Sequence, residues 1–226
     1  MLSVVKLCKT YVGASGLERR DVLHDLDLEV AAGEYVAIMG ESGIGKSTLL
    51  NLIAGLDTPD SGTVSLAGTP IHTLNDHQRT VLRRHDIGFV FQAFHLLPRL
   101  TIAQNVALPL SLLGYKRSDA EERAREMLAR LGILDRAQAL PAALSSGQLQ
   151  RAAIGRALVH RPRLVLADEP TGNLDPENAA LVLELLRGEI VASGAAAILV
   201  THSHAAAATT RRTLELTAQG LRPQAP

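Results

Sequence analysis

At residues 35–48 the chain reads Tyr35-Val36-Ala37-Ile38-Met39-Gly40-Glu41-Ser42-Gly43-Ile44-Gly45-Lys46-Ser47-Thr48. The first five residues are almost continuously apolar, which is typical of a strand that is buried on both faces. From Ser47 to Ala54 the apolar residues follow a helical pattern, which stops at Gly55. The stretch therefore predicts a buried strand, a glycine-rich loop and a helix, in that order.

The loop between this strand and this helix fits the pattern G-x-x-x-x-G-K-S/T in the context that the pattern requires. Its glycines allow successive backbone N–H groups to face phosphate oxygens, and the start of the helix adds unpaired amides and the positive end of its dipole. Lys46 is expected to neutralise the β- and γ-phosphates of a nucleotide, and the Ser47 hydroxyl to ligate Mg²⁺. The alternative, a glycine-rich turn that only joins two elements, is disfavoured because sequence and context agree. The predicted nucleotide-binding residues of this segment are Gly40, Glu41, Ser42, Gly43, Ile44, Gly45, Lys46, Ser47 and Thr48.

Two adjacent carboxylates, Asp168 and Glu169, follow the apolar run at residues 164–167. In open α/β sheets the carboxyl ends of the strands form the edge at which ligands bind. Adjacent residues on a strand point to opposite faces, so we expect different roles for the two acids. Asp168 is expected to hold Mg²⁺, directly or through water, and Glu169 to polarise the attacking water as general base. The alternative is that the acids only end the strand or cap the turn at Pro170.

The other segments predict the architecture around the loop. Residues 2–11 and 22–30 alternate as strands do, which predicts an antiparallel pair near the N-terminus. Between about residues 93 and 160 the pattern becomes helical, and Ser118 with Glu121 fits a capping box. Strands and helices alternate beyond this region, which favours an α/β fold with a mainly parallel sheet and helices on both of its faces.

Composition and charge exclude several classes of protein. The 226 residues include 23 basic and 23 acidic side chains, so the chain lacks the strong positive field of a non-specific nucleic-acid binder. Cys8 is the only cysteine, which excludes an intramolecular disulfide and favours a reducing compartment. The longest apolar stretch, residues 190–200, is interrupted by Ser193 and Gly194 and is shorter than the ~20 residues of a spanning helix. We expect no nucleic-acid partner and no membrane span.

A set of short motifs resembles the ABC-type ATPases. The segment Leu144-Ser145-Ser146-Gly147-Gln148 is similar to their L-S-G-G-Q signature and precedes the acidic strand, as in that family. Gln92 looks like the Q-loop glutamine, Asn173-Leu174-Asp175 looks like the D-loop, and His202 looks like the switch histidine. Tyr11 looks like the aromatic residue that stacks on adenine. Taken alone, His202 and Tyr11 are more typical of a polar strand end and a half-buried strand aromatic.

Three longer segments narrow the resemblance to the LolD/MacB group of ABC ATPases. They read Phe89-Val90-Phe91-Gln92-Ala93-Phe94-His95-Leu96-Leu97-Pro98, Gln104-Asn105-Val106-Ala107-Leu108-Pro109-Leu110 and Ala167-Asp168-Glu169-Pro170-Thr171-Gly172-Asn173-Leu174-Asp175. The resemblance implies a P-loop NTPase that uses ATP and Mg²⁺, lies on the inner, cytoplasmic face of the cell membrane and energises integral membrane permease subunits. It also implies one ABC-type ATPase domain. Its parts would be a nucleotide-binding core with an antiparallel β subdomain, residues 1–92 and 161–226, and a helical signature subdomain, residues 93–160.

The resemblance further implies roles for particular residues. In the family, two ATP molecules join a homodimer, so Ser145, Gly147 and Gln148 of one subunit would close over the γ-phosphate held by the other. His202 would contact the γ-phosphate, and Gln92 would sense it while facing the membrane partner. The implied catalytic residues are Lys46, Gln92, Glu169 and His202, and the implied metal ligands are Ser47, Gln92 and Asp168.

The chain departs from the family pattern at three positions. Ser146 replaces the first glycine of the signature, Leu149 stands where a polar residue is common, and Ser203 replaces an aspartate after His202. A serine at position 146 is harmless if its φ is negative, and costs on the order of 1 kcal/mol if its φ is positive.

Several other functions compete with a transport ATPase. A soluble ABC-type protein that acts on DNA or ribosomes usually carries a long coiled-coil insertion or a second cassette, and 226 residues leave room for neither. A regulatory ATPase of the cell-division type, or a scaffold that binds ATP and turns it over slowly, remains compatible with the altered signature. A P-loop kinase does not explain Gln92, the signature and His202 at their relative positions.

Overall fold

The structure is a computed structural model that describes residues 1–12 and 19–224. In chain order, these residues form β1 (Leu2–Val12), β2 (Arg19–Val30), β3 (Tyr35–Met39), α1 (Lys46–Ile53), β4 (Ser61–Leu66), β5 (Thr69–Pro70), α2 (Asp76–Asp86), β6 (Ile87–Val90), α3 (Ile102–Leu112), α4 (Arg117–Arg130), α5 (Ser146–Leu158), β7 (Leu164–Asp168), α6 (Pro176–Ser193), β8 (Ala196–Val200), α7 (His204–Ala207), β9 (Arg212–Thr217) and β10 (Gly220–Pro223). Single 3₁₀ turns lie at Ile71–Thr73, Leu134–Arg136 and Pro141–Ala143.

The chain divides into two compact units. The first comprises Met1–Arg83 and Ala196–Pro226, and the second comprises Arg84–Ala195. All of residues 93–160, the predicted helical subdomain, fall within the second unit, and the exact limits of that subdomain stay a prediction.

The first unit contains an antiparallel sheet, formed mainly by the N-terminal strands in the order β2-β1-β4-β5. The β1–β2 register places Leu2 opposite Val30 and Val4 opposite Leu28, and all four side chains are buried. Apolar side chains at alternate positions therefore share one face of the sheet. The predicted antiparallel pair is confirmed, although β2 begins at Arg19.

A second group of strands in the first unit surrounds β3. This strand pairs in parallel with β8 on one side and β9 on the other, and β10 pairs antiparallel with β9. Every residue of β3 and β8 is buried, which explains why both read as continuous apolar runs. The helix that follows, α1, buries Leu49, Leu50, Leu52 and Ile53.

The second unit combines two parallel strands with a group of helices. β6 and β7 align Ile87 with Leu164 and Val90 with Ala167. The helices α3, α4 and α5 pack against one another, and α5 also packs against α6 and β6. The predicted fold class, mixed α/β with an antiparallel N-terminal sheet and mainly parallel core strands, is confirmed. Within the described residues, no helix combines the length and the apolar character that crossing a bilayer requires.

One predicted helix start is wrong. The helix α4 begins at Arg117, and no side chain caps it. Ser118 and Glu121 lie inside the helix, where the Ser118 hydroxyl donates to Asp119 and the Glu121 carboxylate pairs with the Arg117 guanidinium at 2.7 Å. The pattern of a capping box is therefore present without its hydrogen bonds.

Candidate functional site

The loop between β3 and α1 is shaped by glycines that other residues cannot replace. Gly40, Gly43 and Gly45 have positive φ values of 152°, 78° and 115°. A Cβ on Gly40 would lie 2.7 Å from the Leu216 carbonyl oxygen, and one on Gly45 would lie 2.6 Å from a Val22 methyl carbon. The backbone of the loop therefore keeps a tightly curved shape, which is the geometry that lets successive amides face an anion.

Lys46, the first residue of α1, contacts the start of this loop through its side chain. Its Nζ donates to the carbonyl oxygens of Gly40 at 2.8 Å and Glu41 at 2.9 Å, and the residue is only 8% exposed. No side chain caps the start of α1 and its first turn holds no acidic residue, so the helix dipole and the ammonium group both favour an anion there. These residues fit the phosphates of a nucleotide, and the exposed Ser47 places a hydroxyl in the same helical turn.

Arg20 of β2 also contacts the loop and was missed by sequence reasoning. Its guanidinium donates to the Gly43 carbonyl oxygen at 2.8 Å. A basic residue in a strand that precedes the loop gives no recognisable sequence signal, because the contact depends on how β2 folds back.

Tyr11, near the end of β1, presents a partly exposed ring that neighbouring side chains hold in place. The Tyr11 hydroxyl donates to Asp57 Oδ2 at 2.7 Å, and Lys9 Nζ lies 5.0 Å from the ring centroid while it also pairs with Asp57 Oδ1 at 3.0 Å. Burial raises the pKa of Tyr11, as does the hydrogen bond to Asp57, while a hydrogen bond to the Thr48 hydroxyl acts in the opposite direction. The structure thus brings Tyr11 next to Thr48 of α1, with 42% of the residue exposed.

His202 lies two residues after the end of β8 and two residues before the start of a short helix, and it is exposed. Ser203 caps that helix, α7: its hydroxyl accepts from the Ala206 amide at 3.3 Å, and its own amide donates to Thr201 Oγ1 at 3.0 Å. Serine and aspartate are equally good caps, so the departure from the family pattern at this position leaves the local backbone intact.

In the second unit, the acidic pair sits where β7 ends. Asp168 is the last residue of the strand, and Glu169 has a positive φ of 46°. Strand alternation therefore does not apply to this pair, because Glu169 has already left the strand, and the expectation of different roles for the two acids stays a prediction. A non-glycine residue held in this conformation is typical of functional turns, and the strain costs about 1–3 kcal/mol.

Gln92, two residues beyond the end of β6, lies against the turn that follows the acidic pair. The Asn173 side-chain amide donates to the Gln92 carbonyl oxygen at 2.9 Å. The Gly172 amide donates to the Glu169 carbonyl oxygen at 3.0 Å, which closes the turn. The structure therefore brings together Gln92 and the residues that follow Asp168 and Glu169.

The signature segment starts α5. The Ser145 hydroxyl accepts from the Gln148 amide at 3.4 Å and the Gln148 side chain accepts from the Ser145 amide at 3.0 Å, which is a complete capping box. Ser146 is the first residue of the helix and has a negative φ, so serine is compatible with this position. A Cβ on Gly147 would overlap the Asn178 side-chain oxygen, so this glycine is required by close packing.

Two polar residues of α5 that sequence reasoning missed hold the segment around Gln92. Gln150 is fully buried and donates to the Phe91 carbonyl oxygen at 3.4 Å. Arg156 donates to the carbonyl oxygens of Phe94 at 2.8 Å and His95 at 2.5 Å, and burial lowers its pKa. Polar residues on an otherwise buried helix face are the available signal for such contacts. A cavity of about 480 Å³ in the same unit, lined largely by charged residues of α4, contains none of the predicted site residues.

The chain as a whole is similar to a known protein family and to solved structures. The sequence model of the family described as ABC transporter matches residues 23–172. A solved structure of the ATP-binding cassette MJ0796, a dimer in a post-hydrolysis state bound to ADP and Pi, is 36% identical to this chain, with a TM-score of 0.90 and 100% of both chains covered. Another dimeric structure of MJ0796, described as a bacterial ABC transporter cassette, is 36% identical with a TM-score of 0.89, again over 100% of both chains.

These matches are long enough to assign the chain to a protein family. The family match spans more than half of the chain, and the likeness to the MJ0796 cassette extends over all of it. Both agree with the predicted ATPase activity and the predicted use of ATP and Mg²⁺, which are thereby confirmed. The chain belongs to the ABC transporter family of ATP-binding proteins.

Proposed function

We propose that this ABC ATPase works as a homodimer that energises integral membrane permease subunits, in a system of the LolD/MacB type for export or lipoprotein release. It would act from the cytoplasm, peripherally on the inner face of the cell membrane. The phosphate loop is the observation that carries the ATP-dependent part of this proposal: a Cβ on Gly40 or Gly45 would overlap neighbouring atoms, and Lys46 Nζ donates to the carbonyl oxygens of Gly40 and Glu41.

ATP binding is assigned to the first unit. The amides of residues 40–48 and the Lys46 ammonium group bind the phosphates, and the Ser47 hydroxyl ligates the metal ion. Tyr11 stacks on the adenine ring, since its ring is partly exposed and is held by Asp57 and Lys9. Bound Mg²⁺ supplies positive charge that stabilises the phosphate oxygens.

Hydrolysis requires further side chains. Glu169 accepts a proton from the attacking water as general base, while Asp168 and Gln92 hold the metal ion. His202 donates a hydrogen bond toward the γ-phosphate. The positive φ of Glu169 supports this assignment, because non-glycine residues in such conformations cluster at active sites and ligand clamps.

Dimer formation is assigned to the signature segment. Ser145, Gly147 and Gln148 at the start of α5 close over the γ-phosphate bound by the second subunit, at a helix end that favours anions. The dimeric MJ0796 structures support a dimer of this kind. Residues 93–160 form the helical subdomain that meets the permease, and residues 1–92 with 161–226 form the nucleotide-binding core.

The experiment measures phosphate release and oligomeric state. With Mg²⁺ and ATP the protein is expected to release phosphate, and Glu169→Gln to form an ATP-dependent dimer in light scattering, while Lys46→Ala abolishes both. Coexpression with a permease from a neighbouring gene is expected to raise turnover. Calorimetry that finds no ATP binding would overturn the proposed ATP-driven mechanism. A permease that leaves ATP turnover unchanged would overturn the proposed role in transport.

A further inference from the structure

The turn that follows the acidic pair, residues 169–174, contacts Gln92 through two consecutive residues. A Cβ on Gly172 would lie 2.7 Å from Gln92 Nε2, 3.1 Å from Cδ and 3.4 Å from Cγ. The Gln92 side chain therefore lies along the Gly172 backbone for most of its length. Gly172 has no positive φ, so this position needs a glycine for space and not for conformation.

Asn173, the next residue, holds the backbone of Gln92. Its side-chain Nδ2 donates to the Gln92 carbonyl oxygen at 2.9 Å. Gly172 and Asn173 thus contact both the carboxamide and the main chain of the same glutamine.

The turn itself is closed by its own hydrogen bonds. The Gly172 amide donates to the Glu169 carbonyl oxygen at 3.0 Å, and the Leu174 amide donates to the Thr171 carbonyl oxygen at 3.1 Å. These two bonds hold the backbone of the turn on which the exposed Gln92 side chain packs. Since the turn begins at Glu169, the positions of Glu169 and Gln92 are linked through Gly172.

Residues on either side of Gln92 are anchored separately, on α5. Gln150 donates to the Phe91 carbonyl oxygen, and Arg156 donates to those of Phe94 and His95. These contacts hold the loop, whereas Gly172 contacts the Gln92 carboxamide itself.

We propose that Gly172 and Asn173 are positioning residues for Gln92, which fix its carboxamide relative to Glu169 and so set how tightly the nucleotide-bound metal ion is held. The proposal rests on the proposed role of Gln92 as a metal ligand. It assigns the Gly172–Asn173 pair a function that the phosphate loop and the acidic residues do not supply.

The decisive variant is Gly172→Ala. The added methyl group meets the end of a flexible side chain, so the fold is kept and the Gln92 carboxamide must move. We expect the side-chain amide resonance of Gln92, identified by its loss in Gln92→Ala, to shift in the nucleotide-free protein. We also expect the Mg²⁺ concentration for half-maximal ATPase activity to rise about tenfold, the lower end of what displaced supporting residues cost at metal sites.

Gly188→Ala is the matched control. Gly188 lies in α6, where an added Cβ meets no atom within 4 Å, so its variant is expected to leave both measurements unchanged. Asn173→Asp is a second test variant, because a carboxylate of the same shape cannot donate to the Gln92 carbonyl oxygen. It is expected to shift the backbone resonances around Gln92.

A double-mutant cycle separates positioning from general damage. In a Gln92→Ala background, Gly172→Ala is expected to change the Mg²⁺ requirement less than twofold, because its target is gone. A full effect in that background, or an unshifted Gln92 resonance in Gly172→Ala, would overturn the proposal. Failure of the proposed function would give a different result. The wild-type protein would then lack ATPase activity, while Gly172→Ala would still shift the Gln92 resonance.

Discussion

Two neighbouring residues of the signature segment are expected to tolerate substitution very differently. Ser146 has a negative φ at the first position of α5, whereas Gly147 packs against the Asn178 side chain. We expect Ser146→Gly to keep its ATPase rate within about twofold and to lose no more than about 0.5 kcal/mol of stability. Steady-state ATPase assays and urea unfolding check both quantities, and a tenfold fall in rate would show that the serine hydroxyl itself participates.

Gly147→Ala is the contrast to that variant. Asn178 cannot easily move away, because Asp175 accepts hydrogen bonds from its amide at 3.0 Å and from its side chain at 2.6 Å. An added methyl group at position 147 is therefore expected to cost about 1–3 kcal/mol.

His160, just after α5, is expected to make the stability of the fold depend on pH. Burial lowers its pKa, and nearby His85 acts in the same direction, whereas the Ile87 carbonyl oxygen and Asp86 raise it. The unfolded chain takes up this proton near pH 6.5 and the folded chain only at lower pH, so the unfolded state binds more protons between those two pKa values. Stability is therefore expected to fall as the pH drops below about 6.5. Urea unfolding at several pH values should show that the free energy of unfolding falls less with decreasing pH in His160→Gln than in the wild type. An identical dependence on pH in the two proteins would contradict the role given to His160.

The starts of the helices show that one local sequence pattern can occur with or without a helix cap. The segments Thr101–Gln104 and Ser145–Gln148 form complete capping boxes, whereas Ser118 and Glu121 have the same spacing without a cap. Spacing alone does not decide where a helix begins: here the helix starts at Arg117, and the Glu121 carboxylate pairs with the Arg117 guanidinium.

The two complete capping boxes give a matched pair of variants. Thr101→Ala and Ser145→Ala each remove one accepting hydroxyl, so each is expected to lower stability by about 1 kcal/mol. Only Ser145→Ala should also weaken ATP-dependent dimerisation, because only α5 carries the signature. Thermal unfolding and light scattering of both variants in the Glu169→Gln background measure the two effects. Equal dimerisation in both variants would limit Ser145 to its structural role.

The fully buried strands were predictable from sequence, and so were the alternating strands β1 and β2, whereas the partly polar elements α2 and β9 were missed. β3 and β8 stand out because every one of their residues is apolar. The helix α2 was missed because it is strongly polar and buries only Leu82. β9 was missed because its position depends on parallel pairing with β3, more than 170 residues earlier in the chain.

The same distinction applies to the candidate site. The phosphate loop is contiguous in sequence, so its pattern could be recognised at once. The contacts of Tyr11 with Asp57 and of Gln92 with Asn173 join residues that are 46 and 81 positions apart. Such contacts follow from the folding of the chain, and no local motif encodes them.

The two compact units of the chain carry different groups of predicted site residues. Tyr11, residues 40–48 and His202 belong to the first unit. Gln92, the signature residues and the acidic pair belong to the second. With the roles proposed above, substitutions in the first group should act mainly on nucleotide affinity, and those in the second mainly on metal binding, turnover and dimerisation, with His202 as the exception.

Thermal unfolding tests binding and association together. At ATP concentrations about a hundredfold above the dissociation constant, binding adds about 2.7 kcal/mol of stability. For a chain of 226 residues this corresponds to a rise in Tm of about 5–10 °C. We expect Glu169→Gln to show this rise with Mg²⁺ and ATP, and Lys46→Ala to show none.

The dependence on protein concentration then reports the dimer. Because dissociation must precede or accompany unfolding of a dimer, the Tm of Glu169→Gln with Mg²⁺ and ATP is expected to increase when the protein is concentrated tenfold. In EDTA, or without nucleotide, the same concentration change should leave the Tm unchanged, since mass action no longer links unfolding to association. A Tm that rises with ATP but ignores protein concentration would mean that the nucleotide binds single subunits without joining them, and the signature segment would then need another role.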